Sequence, residues 1–407
     1  MPGQTMDTLM PLLKEVYEKG VTNQLNNEVA SWSRVKRKVK TSALHGGKYV
    51  DFPIHVRRNS GIGSRNENEA LPTAGAQGYA EAHVKWRYNY AAIALTGPSI
   101  ELASDDPASF ADSLNEEKTR IVDDLSKERN RQYFGDGTGV RTRVTVAPAG
   151  KVIGVADLMQ LDDGGVYDIV SPAGVVRGTV TIDNYDDTPA ANTITIEAAA
   201  APAGVAVGDG FVRKGSWDRE IHGLASIISK TTKLYDIDPA DEKLWRAHVH
   251  GSTGAPAAIS EMRLSRMTDA IKKAGGKTTV MLTRPDILRA YYGLLNSQRR
   301  YVNTTTFATG HTGLTFQSPS SGEIPFLSDS DAPVGEIQFV NEDELKFYAK
   351  FEGYKFMDRT GSIWRQKVDA GGAYDTYEAN LVEYSELATK RRNTHGKIVG
   401  VIGDVEQ

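Results

Sequence analysis

The sequence predicts an α+β fold on three observations. Two extended runs, Lys48–Arg58 and Glu81–Tyr90, alternate apolar and polar residues around a long polar stretch. Residues 107–134 keep a helical period with no interior Gly or Pro. After a Val-, Thr- and Gly-rich segment over 141–215, helical patterns return and strands follow them.

Composition narrows the classes. A chain of 407 residues has room for two or three domains at roughly 100–200 residues each. It carries 48 Lys and Arg against 52 Asp and Glu, a net charge of −4, so bulk charge gives no nucleic-acid signal. There is no cysteine, which excludes disulfides, thiolate nucleophiles and thiolate metal sites. No run resembles a signal peptide or approaches the roughly 18 apolar residues of a membrane span. A protein made and kept in the cytoplasm, with no membrane association, is the expectation.

The elements follow in order. Leu9, Leu12, Leu13, Val16 and Tyr17 recur at three and four residues, which predicts a helix ending near Gly20. Val35–Lys40 reads as a strand, with Lys36, Lys38 and Lys40 on one solvated face. The runs Lys48–Arg58 and Glu81–Tyr90 then form a two-stranded arm with Asn59–Gly78 as its tip. Such a long tip is unusual inside a compact domain, and an isolated hairpin is marginal in water. The arm therefore needs a support, and a neighbouring subunit is the natural one.

Asp106 can cap the next helix, and Pro107 suits its first position. At 1.5 Å per residue the helix extends roughly 42 Å. Tyr133 and Phe134 close it, and Gly135 stops it. Within 141–215, Val166–Val170, Val175–Ile182, Asn192–Glu197 and Gly210–Lys214 read as the strands of a small inserted barrel or sandwich. Ile259–Ile271 is helical, Val280–Thr283 is a buried strand, and Pro285 opens another helix. Asn303–Ser321 reads as a loop. Glu336–Val340, Leu345–Tyr348, Tyr374–Tyr384 and Lys397–Ile402 read as strands.

No catalytic motif assembles. Gly135-Asp136-Gly137-Thr138-Gly139 follows a helix, whereas a phosphate-cradling loop must precede one. His248 and His250 lack a third ligand at a telling spacing. Asp183, Asp186 and Asp187 lack the Gly and Glu of a calcium loop. Asp329 and Asp331 read as a solvated loop rather than an acid–base pair. No enzyme activity, cofactor or metal site is expected.

The order of elements resembles the major capsid proteins of tailed bacteriophages, the Hong Kong 97-type capsid fold. The likeness is carried by Lys127–Gly139, which looks like that family's spine helix with the glycine turn after it. It is carried also by Glu220–Ile228 and by Ser328–Ile337 followed by Leu345–Tyr348. The resemblance implies an N-terminal arm over 1–40 and an extended hairpin loop over 41–97. It implies a peripheral domain with the spine helix over 98–140 and 341–407, an inserted β-domain over 141–215 and an axial domain over 216–340. It further implies pentamers and hexamers of this chain in an icosahedral shell. The shell would enclose double-stranded DNA without sequence-specific binding, and the chain would reside in the virion after assembly in the host cytoplasm. A separate scaffolding protein, a portal and a decoration protein are the implied partners. The Lys–Asn cross-link of some relatives finds no matching motif here.

At the arm tip, Arg57, Arg58 and Arg65 stand beside Glu67 and Glu69, and mixed charge of this kind sets register and partner choice at a contact. These five residues are the expected inter-subunit contacts. The alternatives are an encapsulin-type nanocompartment shell, a hydrolase using the loops of 303–335, and a binding module built on 141–215.

Overall fold

The computed structural model describes residues 29–43, 49–98, 107–186, 192–297, 304–306, 312–351, 353–358, 361–369 and 371–404. The helix expected before Gly20, the cap at Asp106 and Asp187 lie outside them.

Residues Ala30–Lys38 form a helix, α1, where the sequence reading placed a strand from Val35. Trp32, Val35 and Val39 recur at three and four residues and are all buried. Their packing decides the conformation over the alternation of Lys36, Lys38 and Lys40. Lys36–Lys38 fall in the last turn, where cations suit the helix dipole.

The two arm runs form strands Tyr49–Arg57 and Gly78–Lys85, paired antiparallel from Tyr49↔Lys85 to Arg57↔Gly78. The second run does not continue as one strand. It breaks at Trp86, and Arg87–Thr96 leaves the hairpin to pair with a strand near the other end of the chain. That strand, Gly372–Thr389, is 18 residues long, or about 60 Å at 3.3 Å per residue. It gathers a six-stranded sheet with Lys40–Ala43, Leu345–Ala349, Lys355–Phe356, Arg365–Asp369 and Arg87–Thr96.

Helix α2 spans Pro107–Phe134, as its period and punctuation predict. After it, six strands between Val140 and Arg213 close into a barrel. Ile153, Ile169, Ile194, Ile196 and Phe211 fill its interior, each fully buried. The four strands expected there are present within a few residues of their predicted bounds.

A seven-stranded sheet runs in the order His248–Gly251, Gly396–Val399, Glu336–Val340, Val280–Thr283, Gly322–Ser328, Thr312–Ser318, Thr304–Thr306. The expected loop over 303–321 is thus partly strand, because Thr312–Ser318 hairpins onto Gly322–Ser328. The helices Glu261–Lys273 (α3) and Pro285–Ser297 (α4) cover one face, burying Leu264, Met267, Ile271, Ile287 and Tyr291 against Met281, Phe326 and Phe339. The alternation of Val280–Thr283 sends Val280 and Leu282 to the other face. There they join Trp32, Tyr133 and Leu345 in a second core.

Candidate assembly surfaces and the junction that positions them

The last turns of α2 hold the subunit together. Arg129, Asn130, Arg131 and Gln132 are four consecutive polar residues, and all are buried. The first three each reach a different part of the chain, and Gln132 bonds to Arg129 and Glu128 of the same helix. Arg129 pairs with Glu383 and donates to Ser385 Oγ at 3.1 Å, both on the long strand. Asn130 donates to Asp329 Oδ1 at 3.0 Å and Asp331 Oδ2 at 2.7 Å, and its own Oδ1 accepts from Trp32 N on α1 at 2.9 Å. Arg131 meets Glu128 at 2.6 Å and Glu220 at 2.5 Å. Glu128 also pairs with Arg141 of the barrel.

Burial alone would raise the Glu128 carboxyl, but Arg131 and Arg141 hold it well below the ordinary carboxylate range. Burial likewise opposes the charge on Arg131, and Glu128 with Glu220 keep it protonated. Asp329 differs: burial pushes its carboxyl up, against hydrogen bonds from Ser31 and Asp331. Asp329 and Asp331, read from sequence as a solvated loop, are therefore buried. Lys127 Nζ closes the group on Asp331 Oδ2 at 3.0 Å. Buried charge persists when paired and hydrogen-bonded in this way.

The chain returns past this junction at Gly223. A Cβ there would meet the carbonyl oxygens of Gln132 at 2.3 Å and Tyr133 at 2.4 Å, so the close approach needs glycine. The turn after α2 is a helix stop, with Gly137 at φ +87° and Gly139 at φ +83°.

The arm is the opposite case. Val56, Ala82 and Val84 are buried against the body. At the irregular tip, Ile62 and Leu71 are 86% and 85% exposed, and Tyr79 on the strand is 68% exposed. Arg57, Arg58, Arg65, Glu67 and Glu69 are all exposed. Arg57 reaches Glu242 of its own chain at 3.3 Å. Arg65 donates to the carbonyls of Ala70 and Ser64, at 3.0 and 3.1 Å. Glu69 accepts from Asn66 N at 3.1 Å and Asn66 Nδ2 at 2.9 Å, and these bonds lower its pKa. Arg65 and Glu69 thus shape the tip turn. No arginine–glutamate pair forms among the five in the described residues.

Two histidine features complete the survey. His248 and His250 sit on the edge strand of the seven-stranded sheet, and burial lowers both. On the arm, Asp51 and His83 are cross-strand partners, with Nδ1 2.7 Å from Oδ1, and Glu81 lies near them. The hydrogen bond to Asp51 raises the His83 pKa. The strand register accounts for this exposed ion pair. Sequence reading missed both the α2 junction and the His83 pair, since each depends on residues distant in the chain.

Comparison with known proteins agrees with this architecture. Residues 203–401 match the family model of the SU10 major capsid protein. Over 98% of its length the chain superposes on 99% of a chain of the cyanophage A-1(L) capsid asymmetric unit, with TM-score 0.58 and 16% identity. A chain of Mycobacterium phage Bobi aligns over 98% and 99% of the two lengths, with TM-score 0.50 and 12% identity. The holo-SrpI encapsulin complex from Synechococcus elongatus PCC 7942 aligns over 100% and 98%, with TM-score 0.51 and 8% identity. A search of curated protein sequences finds no match. The structural likenesses establish the fold across the chain, and the family match carries the major-capsid reading.

Proposed function

We propose that this chain, a major capsid protein of the tailed-bacteriophage kind and so a structural protein, closes into an icosahedral shell through pentamers and hexamers. The observation that carries the assembly reading is the arm. Its strands are anchored on the body by Val56, Ala82 and Val84, while Ile62 and Leu71 at its tip stand in solvent. Large exposed apolar side chains on a projecting hairpin fit a surface made to be covered. The body beneath is rigid where it must be, because the α2 junction ties α1, the barrel, the 329–331 turn and the long strand to one helix end.

In this reading 1–40 is an N-terminal arm and 41–97 the hairpin loop, whose tip is laid on a neighbour while Arg87–Thr96 returns to the chain's own six-stranded sheet. Residues 98–140 with 341–407 form the peripheral domain and 216–340 the axial domain. The barrel within 141–215 is an insertion. Arg57, Arg58, Arg65, Glu67 and Glu69 meet oppositely charged groups on adjacent subunits. A scaffolding protein directs closure, a portal occupies one vertex, and a decoration protein can bind outside. The shell forms in the bacterial host's cytoplasm and takes up double-stranded DNA without reading its sequence.

The second reading, a cellular nanocompartment, draws on the likeness to the encapsulin. The family match over 203–401 favours the phage wall. Negative-stain electron microscopy with light scattering tests both. Closed shells or five- and six-membered rings are expected, and DNA-filled particles would separate the phage wall from a protein-filled compartment. A chain that stays monomeric with its scaffolding protein co-expressed would overturn the assembly function.

A further inference from the structure

A cleft of about 970 Å³ opens where the tip-side half of the first arm strand, Pro53–Arg58, meets the turn at 243–248 and the 390–393 segment. Arg58, Lys243, Lys273, Lys390 and Arg391 line it, all exposed, together with Arg57, which is paired with Glu242 at 3.3 Å. Glu344 is the one carboxylate among the described lining residues, and Arg391 approaches it at 3.4 Å. Three more cations of the lining are held by backbone carbonyls of the chain itself. Lys230 Nζ donates to Val249 O at 2.5 Å and Arg246 Nε to Pro239 O at 2.6 Å. Arg392, fully buried at the cleft floor, donates to the carbonyls of Ile227, Thr232 and Ser226, each at 2.8 Å. Carbonyls fix a cation's direction and leave its net charge in place.

The positive surface runs beyond the cleft. Lys40 and Lys346 are cross-strand partners, and Lys390 lies against Lys346. Like charges directly opposite one another destabilise a sheet unless an anion lies across them. Before Lys40, the exposed Lys36, Arg37 and Lys38 add positive charge on the last turn of α1. An acidic peptide could fill the cleft but would leave the lysine row uncovered. A phosphodiester backbone, with about one charge per 1.7 Å of duplex, is long and dense enough to span both.

We propose that the cleft and the lysine row form a phosphate-backbone site for double-stranded nucleic acid, and that this face of the subunit turns toward the shell's contents. The orientation rests on the capsid reading; the binding site does not. Backbone contacts position a duplex without reading it, so the site is indifferent to sequence.

The test is fluorescence anisotropy of the unassembled full-length chain with short random-sequence duplexes, from about 50 to about 200 mM salt. Inorganic phosphate and poly-glutamate serve as competitors. The site predicts binding that is independent of sequence and falls steeply with salt. The triple variant Lys243→Glu/Lys273→Glu/Lys390→Glu should weaken binding at least about tenfold and flatten the salt slope by about 0.9 per lost phosphate contact. A barrel control, Lys151→Glu/Lys214→Glu, should not. Neutral Lys243→Gln/Lys273→Gln, with folding checked by circular dichroism, covers the case in which the reversed charges unfold the chain. Equal losses in cleft and barrel variants would overturn the proposal. Poly-glutamate displacing the duplex at matched charge would instead assign the cleft to an acidic protein segment. Electron microscopy of the chain co-expressed with its scaffolding protein separates the two claims. Shells without duplex binding would overturn this inference alone, and duplex binding without shells would overturn the capsid reading alone.

Discussion

Two regions of this chain are dense in arginine and acidic residues, and they use them in opposite ways. At the end of α2, Arg129 and Arg131 are buried against Glu383, Glu128 and Glu220. At the arm, Arg58, Arg65 and Glu67 are exposed beside the uncovered Ile62 and Leu71. Charges neutralised within the chain fix the shape of one subunit. Charges and apolar side chains left uncovered mark where that subunit receives another. Substitutions in the first region should therefore act on folding, and substitutions in the second on assembly.

The largest effect is expected at Arg129. Replacing it with Leu leaves Glu383 buried without its cation, which costs about 3–5 kcal/mol. The double variant Arg129→Leu/Glu383→Leu should recover most of that loss, since an apolar pair of similar volume tolerates the site. Urea unfolding of the unassembled chain measures both. A single variant within about 1 kcal/mol of wild type would mean that the junction does not hold the subunit together.

A middle-sized effect should appear as a pH dependence. His395 is fully buried, and burial followed by the nearby Arg392 lowers its pKa from 6.5 to about 3. Asn341 N donates to its Nδ1 at 3.2 Å, which leaves Nε2 to donate to Thr389 Oγ1 at 2.9 Å, so the folded imidazole is neutral. As pH falls below 6.5, the unfolded chain binds a proton that the folded chain refuses. Stability contributed by this group is therefore complete above 6.5, falls as pH drops, and keeps falling down to about 3. By pH 4.5 the loss is about 2–3 kcal/mol at most. His395→Gln should flatten the stability curve between pH 6.5 and 4.5. An unchanged slope in that variant would assign the acid sensitivity to carboxylates such as Glu128.

Why one region was legible in the sequence and the other was not follows from the same contrast. Helix α2 could be bounded from Pro107, its apolar period and Gly135, all local signals. The hairpin strands and Val280–Thr283 were legible from alternation or from a short apolar run. The burial of Arg129, Asn130 and Arg131 has no local signature, because each has a partner some 90 to 250 residues away. The same holds for Asp329 and Asp331, which a loop-like Ser-Asp-Ser-Asp composition disguises. Helix α1 was a different failure. The alternating lysines were weighed above Trp32, Val35 and Val39, whose helical spacing was present in the sequence. The break at Trp86 reflects the pull of Gly372–Thr389, which pairs with ten residues of Arg87–Thr96. The candidate contacts on the arm were read from composition alone, and the structure adds that their surroundings are open to solvent.

The smallest effect on stability, and the sharpest test of the contrast, belongs to the arm. Arg57 to Glu242 is an exposed ion pair, worth about 0–1 kcal/mol. Reversing Arg57→Glu and Arg58→Glu should leave the melting temperature of the unassembled chain nearly unchanged. Ile62→Asp and Leu71→Asp should do the same, since both side chains already stand in water. Each pair should nevertheless block shell formation, because an interface that gains a buried unpaired charge loses far more than the free subunit does. Sedimentation of assembly reactions beside thermal melts of the monomer reads the two outcomes separately. Normal shells from both pairs would free the arm from any role in assembly. A melting temperature that fell with assembly would move the arm into the same class as the α2 junction and erase the division between the two regions.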